Sequence, residues 1–485
     1  MSWPGLTREL LRALSQPAYY FQREVAPFAY LVGARRTRLG QEGSVAELVR
    51  HLSLAQFDDG RGYLLEASRI PELLVAVRTF ALGKERSVYI RRDGAPPEVL
   101  GRNSVLTTLY PRLRGARRLM LWCRDGERSE SLVIEILSSP LGFYRNRAPR
   151  ALARDVPKAS SGELFSSYAQ RWSNSTLQFQ EPVHVVFTWV NSRDPKFREL
   201  LRPYSLPQSQ DLDEDRYRES GELRFALRSV HYNLPWVQRI FVVSNCARPA
   251  WLNEAQVSWV DHAQILPGHA LPTFNSHVIE AALHRISGLA EHFIYFNDDM
   301  FVNEACDAGQ FFTSKGHSLA QLESFGSVDA YTPSTIPTDQ IWQFAARNGA
   351  ELLERRFGKR PTQHHKHTPY ALRKSVLEAL VHEFASEFQL LEQQRFRSPQ
   401  DLSPTSFLYH HYALALGAAE HGQATDLHVQ RRNFHKLARK VLTGRAGDFL
   451  CLNDGGSRDN LEAFDAFKTE AMQRLFPLAA PWELS

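Results

Sequence analysis

The chain has 485 residues, 43% of them hydrophobic and 11% aromatic, with 58 Lys and Arg against 53 Asp and Glu for a formal net charge of +5. That apolar share supplies at least one large core and excludes a disordered chain, while so small a positive excess argues against a dedicated nucleic-acid binder. Four cysteines, Cys123, Cys246, Cys306 and Cys451, lie far apart without paired spacing, which fits a reducing compartment.

Taken in order, the opening "MSWPGLTREL" lacks a charged-then-apolar leader pattern, and no apolar run approaches the roughly 20 residues that span a bilayer. The expectation is a soluble, cytoplasmic protein. One segment qualifies it: "AYYFQREVAPFAYLVGARRTR", residues 18–38, sets five aromatic residues before Arg35, Arg36 and Arg38, a composition that suits peripheral contact with the inner face of a membrane as well as ordinary helix packing. Further on, "RRLMLWCRDGERSESLVIEILSS" reads as two strands about an Asp-Gly turn, so residues 1–160 form a small α/β or α+β module. A polar, small-residue stretch follows, with a linker over 161–182 and the main domain over 183–485.

Within the main domain, "VHVVFTWV", "RIFVVSN", "VSWVDH" and "HFIYFNDD" alternate with helix-like segments. Such alternation predicts an α/β fold with a mostly parallel sheet and flanking helices. Each run closes on polar residues, ending with Asn297, Asp298 and Asp299, and in open sheets ligands bind outside the carboxyl ends of the strands. Two adjacent acids there suit a hard divalent cation that shares its coordination with a phosphate; a solvated Asn-Asp turn is the alternative.

The helices carry their own pattern. In "ESGELRFALRSVHYNL" Leu223, Ala226, Leu227 and Val230 form one face, while Arg224 and Arg228 share another, suited to phosphate oxygens or to pairing with Glu219 and Glu222. In "TFNSHVIEAALHRISGL" the apolar residues leave His277, Glu280 and His284 on a separate face, and Asn275-Ser276 mark a helix start that offers amides to an anion; a partly buried polar network is the other reading. The loop "GKRPTQHHKHTPYALRK" bunches Arg360, His364, His365, Lys366 and His367, and "FLCLNDGG" repeats the apolar-then-acid design with Asn453 and Asp454. Singly each fits an exposed polar loop; jointly they describe an anionic ligand held with a metal.

These blocks resemble the Stealth family, which includes bacterial capsular and exopolysaccharide hexose-1-phosphate transferases and the catalytic subunit of N-acetylglucosamine-1-phosphotransferase. The matching blocks are "VVFTWVNSRDP", "RYRESGELRFALRSVHYNLPWVQRIFVVSN" through "FIYFNDDMF", "QHHKHTPYALRKSVLEAL", and "RFRSPQDLSPTSFLYHHYAL" with "FLCLNDG". Residues 1–160 lie outside them. The resemblance implies a glycosyltransferase-A-like, Rossmann-like core that moves a sugar-1-phosphate from a nucleotide sugar, a UDP-sugar by expectation, to a glycan hydroxyl and releases nucleoside monophosphate. Carried over by position, it assigns the donor to Trp189, Asn191, Asp194, Glu222, Arg224, Asn275, Ser276, Asn453 and Asp454. It assigns Mg2+ or Mn2+ to Asp298 and Asp299, and catalysis to His367, Asp298, Arg397, Arg360 and Glu280, with His367 or Asp298 as general base. A conventional glycosyltransferase that releases nucleoside diphosphate and a non-catalytic carbohydrate-binding scaffold are the competing readings. No nucleic-acid partner is expected.

Overall fold

The computed structural model describes residues 45–137, apart from 53, 57–62, 84–86, 93–94, 101–105, 117 and 126–127, and residues 179–484, apart from 180, 205–216, 333, 335, 337–339, 456–460 and 478. The aromatic and basic segment 18–38 lies outside them, as does the connecting segment up to residue 178. Two compact units divide between Ser175 and Thr176.

The first unit runs α1 (Val45–His51), β1 (Ala55–Gln56), β2 (Tyr63–Glu66), α2 (Ile70–Gly83), β3 (Ser87–Arg92), β4 (Glu98–Leu100), α3 (Leu106–Leu113), β5 (Arg118–Asp125) and β6 (Arg128–Leu137). Its strands form one sheet in the order β1-β2-β6-β5-β3-β4, antiparallel except for the β2–β6 pair. Pairing of Asp125 with Arg128 fixes β5 and β6 as a hairpin about the Asp-Gly pair. Leu73, Leu74 and Val77 of α2 and Leu109 and Leu113 of α3 pack with Val88, Ile90, Leu121 and Ile134 of the sheet, an α+β arrangement with its own core.

The second unit holds β7 (Val183–Thr188), α4 (Pro195–Leu201), α5 (Glu222–Asn233), β8 (Arg239–Val243), β9 (Val257–Val260), α6 (Ser276–Ala281), β10 (His292–Asn297), β11 (Met300–Val302), β12 (Ser318–Ala320), α7 (Ile341–Phe357), β13 (Tyr370–Arg373), α8 (Lys374–Glu383), α9 (Ala385–Glu392), α10 (Tyr409–Ala415), β14 (Ala419–His421), β15 (Asp426–Gln430), α11 (Phe434–Leu442), β16 (Phe449–Asn453) and α12 (Leu461–Leu475). It is a mixed α/β fold around a mostly parallel sheet of order β13-β10-β7-β8-β9, in which only β13 runs antiparallel. The β10 sequence "HFIYFN" is buried from His292 to Phe296, as an inner strand covered on both faces must be. Pairing of Asn297 with Thr188, Thr188 with Val243 and Val243 with Val260 aligns four carboxyl ends in one row.

A second sheet, β11-β16-β15, grows from that row. After Asp298-Asp299 the chain pairs β11 antiparallel to β16, while β15 runs parallel to β16. Helix α5 clamps it: Val302 N–H donates to Ser229 Oγ at 3.0 Å and Asn233 Nδ2 donates to Val302 O at 2.6 Å. Helix α5 begins after Gly221, whose φ of +99° is a backbone state that side chains disfavour. Among the described residues no helix is long and apolar enough to cross a membrane.

Candidate active site

At the row of carboxyl ends, Thr188 and Tyr295 share a hydrogen bond of 2.8 Å and Tyr295 donates to Asn297 Oδ1 at 2.9 Å. This chain of polar groups is the floor beneath Asp298 and Asp299. The second sheet then brings Asn453 to Asp299: Leu452 N–H donates to Asp299 O at 3.0 Å and Asn453 Nδ2 to Asp299 Oδ2 at 2.8 Å. Asp299 Oδ1 is buried without a partner.

Negative charge is concentrated here. Burial first, then Asp299, Glu222 and Glu219, pushes the Asp298 carboxyl well above the usual range, and burial with Glu222 raises Glu219 to about 7. The Cys451 thiol is raised by burial, then by Asp299, Asp426 and Asp298. Burial lowers His367 below its ordinary value while Asp299 and Asp426 pull the other way, so the ring stays neutral near pH 7. It stacks on His428 with centroids 3.9 Å apart. Asp298 is half-buried and His367 exposed, and each lies near enough to Asp299 to feel its charge, so the three groups form one solvent-reachable cluster.

Lys468, on α12, ties Glu222 of α5 to Asp454 beyond β16. Its side chain is 1% exposed, and its ammonium donates to Glu222 Oε1 at 2.5 Å and to Asp454 Oδ2 at 2.8 Å. Arg431 holds the Asp454 carbonyl at 2.7 Å. Lys366 Nζ pairs with Asp426 at 3.1 Å, fixing the loop that carries His367 beside β15.

The loop 394–401 approaches through α6. Asn275 is fully buried and donates to Gln394 O, Phe396 O and Asp401 Oδ2 at 3.3, 3.2 and 2.9 Å, while its own oxygen accepts from His277 N–H. His277 Nδ1 meets Asp401 Oδ2 at 3.0 Å and Phe274 stacks on Phe396. The clamped loop delivers Arg397, whose guanidinium donates to Ser276 Oγ at 2.7 Å. Among the described residues no carboxylate pairs with Arg397, so its charge remains available to an anion.

Other expected residues are placed differently. Arg224 and Arg228, expected at phosphate or at Glu219 and Glu222, both meet Glu483 near the end of the chain, at 2.5 Å each. Arg360 pairs with Glu354 at 3.0 Å and Asp329 at 3.5 Å. Asp194 caps α4 through Phe197 N–H at 2.8 Å and also accepts from Ala247 N–H at 3.2 Å, so it braces two loops. Asn191 joins the same bracing through its contact with Cys246, and Trp189 is buried edge-on to Trp259. Helix α6 ends at Ala281, and the side chain of its cap, Asn275, accepts from the His277 amide at 3.1 Å. Of the two readings of His277, Glu280 and His284, the buried polar network holds: all three are buried, and Glu280 accepts from Thr405 Oγ1 at 2.7 Å.

The donor set fits a divalent cation in part. Asp298 and the free Oδ1 of Asp299 supply oxygens, and Mg2+ ordinarily takes one or two carboxylates and fills its remaining positions with water and phosphate. Among the described residues no group of three or more His, Cys, Asp or Glu is arranged to hold a metal by itself. Lys468, Asp426, His428 and Glu483 were not singled out from sequence. Only Lys468 carried a local sign, as a cation on the apolar stripe Phe464, Phe467, Ala471, Met472 and Leu475 of α12.

Residues 216–320 match Stealth protein CR2, conserved region 2, and residues 366–415 match Stealth protein CR3, conserved region 3. The capsular polysaccharide phosphotransferase SacB of Neisseria meningitidis serogroup A is 36% identical over 354 residues, which cover 70% of this chain and 64% of SacB, so the chain spans just under two thirds of that relative. The exopolysaccharide phosphotransferase CpsY of Mycobacterium leprae is 37% identical over 62% of this chain and 57% of its own. An exopolysaccharide phosphotransferase of Nocardia farcinica is 36% identical over 87% of this chain and 86% of its own length. The second region runs from beside Tyr217 through Glu222, Asn275, Asp298 and Asp299 to β12, and the third, from Lys366, takes in His367 and Arg397; with the Nocardia farcinica protein matched over most of both lengths, this chain belongs to the Stealth protein family.

Proposed function

We propose that this chain transfers hexose-1-phosphate or N-acetylhexosamine-1-phosphate from a UDP-sugar-type donor to a glycan hydroxyl, releasing nucleoside monophosphate, in capsule or exopolysaccharide biosynthesis. The observation that supports the reading is that Asp298 and Asp299, at the tip of β10, lie in one cluster with solvent-reachable His367, which feels the charge of Asp299. On this reading the core is glycosyltransferase-A-like, and the donor lies outside the carboxyl ends of β7, β8 and β10.

In the step, the acceptor oxygen bonds to the β-phosphorus while the bond from that phosphorus to the bridging oxygen breaks, and the acceptor proton passes to His367. Asp298 and Asp299 would hold Mg2+ or Mn2+, which when bound supplies charge compensation to the transferring phosphate. Arg397 adds a guanidinium whose charge is taken by no carboxylate among the described residues. Lys468 keeps Glu222 and Asp454 in fixed positions, and Asn453 orients Asp299. Glu280, Asn275 and Asp194 brace the elements that carry these groups. The protein would act in the cytoplasm, with peripheral contact at the membrane.

The test is product analysis: with candidate UDP-sugars and a glycan acceptor, the expected nucleotide is UMP, and release of UDP alone would replace this reading with conventional glycosyl transfer.

A further inference from the structure

Beyond β15 the chain turns through Arg431 into α11, whose buried residues are Phe434 and Val441. The other face is cationic. Lys436, Arg439 and Lys440 are exposed, and exposed Arg432 and Arg445 flank the helix at its two ends. Positions 436, 439 and 440 stand three and four apart, so these charges share one face of the helix. Among the described residues none of the five pairs with a carboxylate; Arg432 donates only to Gln430 Oε1, at 2.9 Å. Like charges left together repel until counter-charge arrives.

The patch continues directly from the reaction site. Buried Arg431 holds the Asp454 carbonyl at 2.7 Å, and β15 just upstream carries Asp426 and His428, beside His367.

We infer that the cationic face of α11 binds the anionic backbone of the acceptor glycan as it extends away from the reaction site. This rests on the phosphotransfer reading, because each transfer adds one negatively charged phosphodiester to the product, and the growing chain then carries the charge that the patch lacks. An anionic membrane is the competing occupant. Helices that lie in a membrane interface set large apolar residues beside their cations, and none of the exposed large hydrophobic residues falls between 431 and 445.

The test uses the full chain and fluorescently labelled long-chain sodium polyphosphate as the polyanion, with the variant K436Q/R439Q/K440Q. The wild type is expected to bind, more weakly as salt rises, and the variant at least about tenfold more weakly. Sodium triphosphate, too short to span the face, should not distinguish them, and UMP release onto a short acceptor should be unchanged. Equal affinity of the two proteins for polyphosphate overturns the inference. So does α11-dependent binding to phosphatidylglycerol–phosphatidylcholine vesicles without polyphosphate binding, which assigns the face to a membrane. Should the triple variant not fold, Arg439→Gln and Lys440→Gln singly, each expected to flatten the salt dependence, decide the same question. Binding is read without turnover, so absence of UMP release from every donor would remove the phosphotransfer reading while leaving the surface result interpretable.

Discussion

Lys468→Met removes one cation from a nearly dry cluster, and its cost follows from the geometry. The ammonium lies 2.5 Å from Glu222 and 2.8 Å from Asp454, with the three side chains 1%, 5% and 13% exposed. At an effective dielectric near 20 each contact is worth about 6 kcal/mol of attraction, set against several kcal/mol for desolvating each ion. The intact cluster therefore adds little net stability, but loss of the lysine leaves two buried carboxylates uncompensated. Such a loss costs about 3–5 kcal/mol, on the order of 10 °C in the unfolding midpoint. The direction agrees with the titration: burial pulls the Lys468 ammonium down, but Glu222 and Asp454 outweigh it and hold it above its ordinary value. Because the chain has two compact units, the assay is hydrogen exchange of peptides from α5 and α12 together with thermal unfolding. Lys468→Met combined with Glu222→Gln and Asp454→Asn should recover a large part of the loss. A single variant within about 1 kcal/mol of the wild type would refute the reasoning.

Asp299→Asn is expected to lower nucleotide release at least about a thousandfold and to weaken the Mn2+-dependent rise in melting temperature. Arg397→Ala should lower kcat/KM about a hundredfold or more with stability within about 1 kcal/mol, and Arg397→Lys should restore only part because one point charge replaces a fork of donors. Arg228→Ala should destabilise by about 3 kcal/mol, since it leaves Glu483 buried, whereas the more exposed Arg224 should contribute about 1 kcal/mol or less, and neither should change the donor KM. Burial holds His365 down to about 3, and its Nε2 accepts from Gln321 N–H. Its folded value lies below the unfolded one, so its stability is full above pH 6.5 and declines as pH falls; denaturant melts at pH 7 and 5 should differ by about 2 kcal/mol more in the wild type than in His365→Gln.

The central sheet was legible because its four parallel strands are uninterrupted apolar runs, each closed by polar residues, and that pattern has few other three-dimensional solutions. The second sheet was not. β11 has three residues, too short for periodicity to register, and its partner β16 lies far along the chain; the four-residue antiparallel β13 of the central sheet escapes notice for the same reason. Helix α6 shows the converse error. Its apolar spacing extends from Ile279 to Ile286, yet the α-helix stops at Ala281 and the next residues form a tighter turn. Tertiary demands decided this: His277 and Glu280 are drawn to Asp401 and Thr405.

At the site, sequence identified groups according to whether their partners were local. Asp298 and Asp299 stood out because they close an apolar strand whose neighbours also end on polar residues, not because an Asn-Asp-Asp turn is itself unusual. Arg224 and Arg228 were correctly read as sharing a face, but their partner, Glu483, lies about 250 residues away and has no local mark. Lys468 is the informative intermediate. A lysine on an apolar stripe cannot be buried alone, because desolvating its ammonium costs more than its methylenes return, so its position alone requires a buried carboxylate somewhere in the fold. The sequence thus states that a counter-ion exists without stating which, and chain closure over 246 residues to Glu222 supplies the identity. The same asymmetry separates the cations of this protein by role: Lys468, Arg228 and Arg360 have found carboxylates, whereas Arg397 and the α11 cations have found none among the described residues, and it is the uncommitted charges that remain for a phosphate.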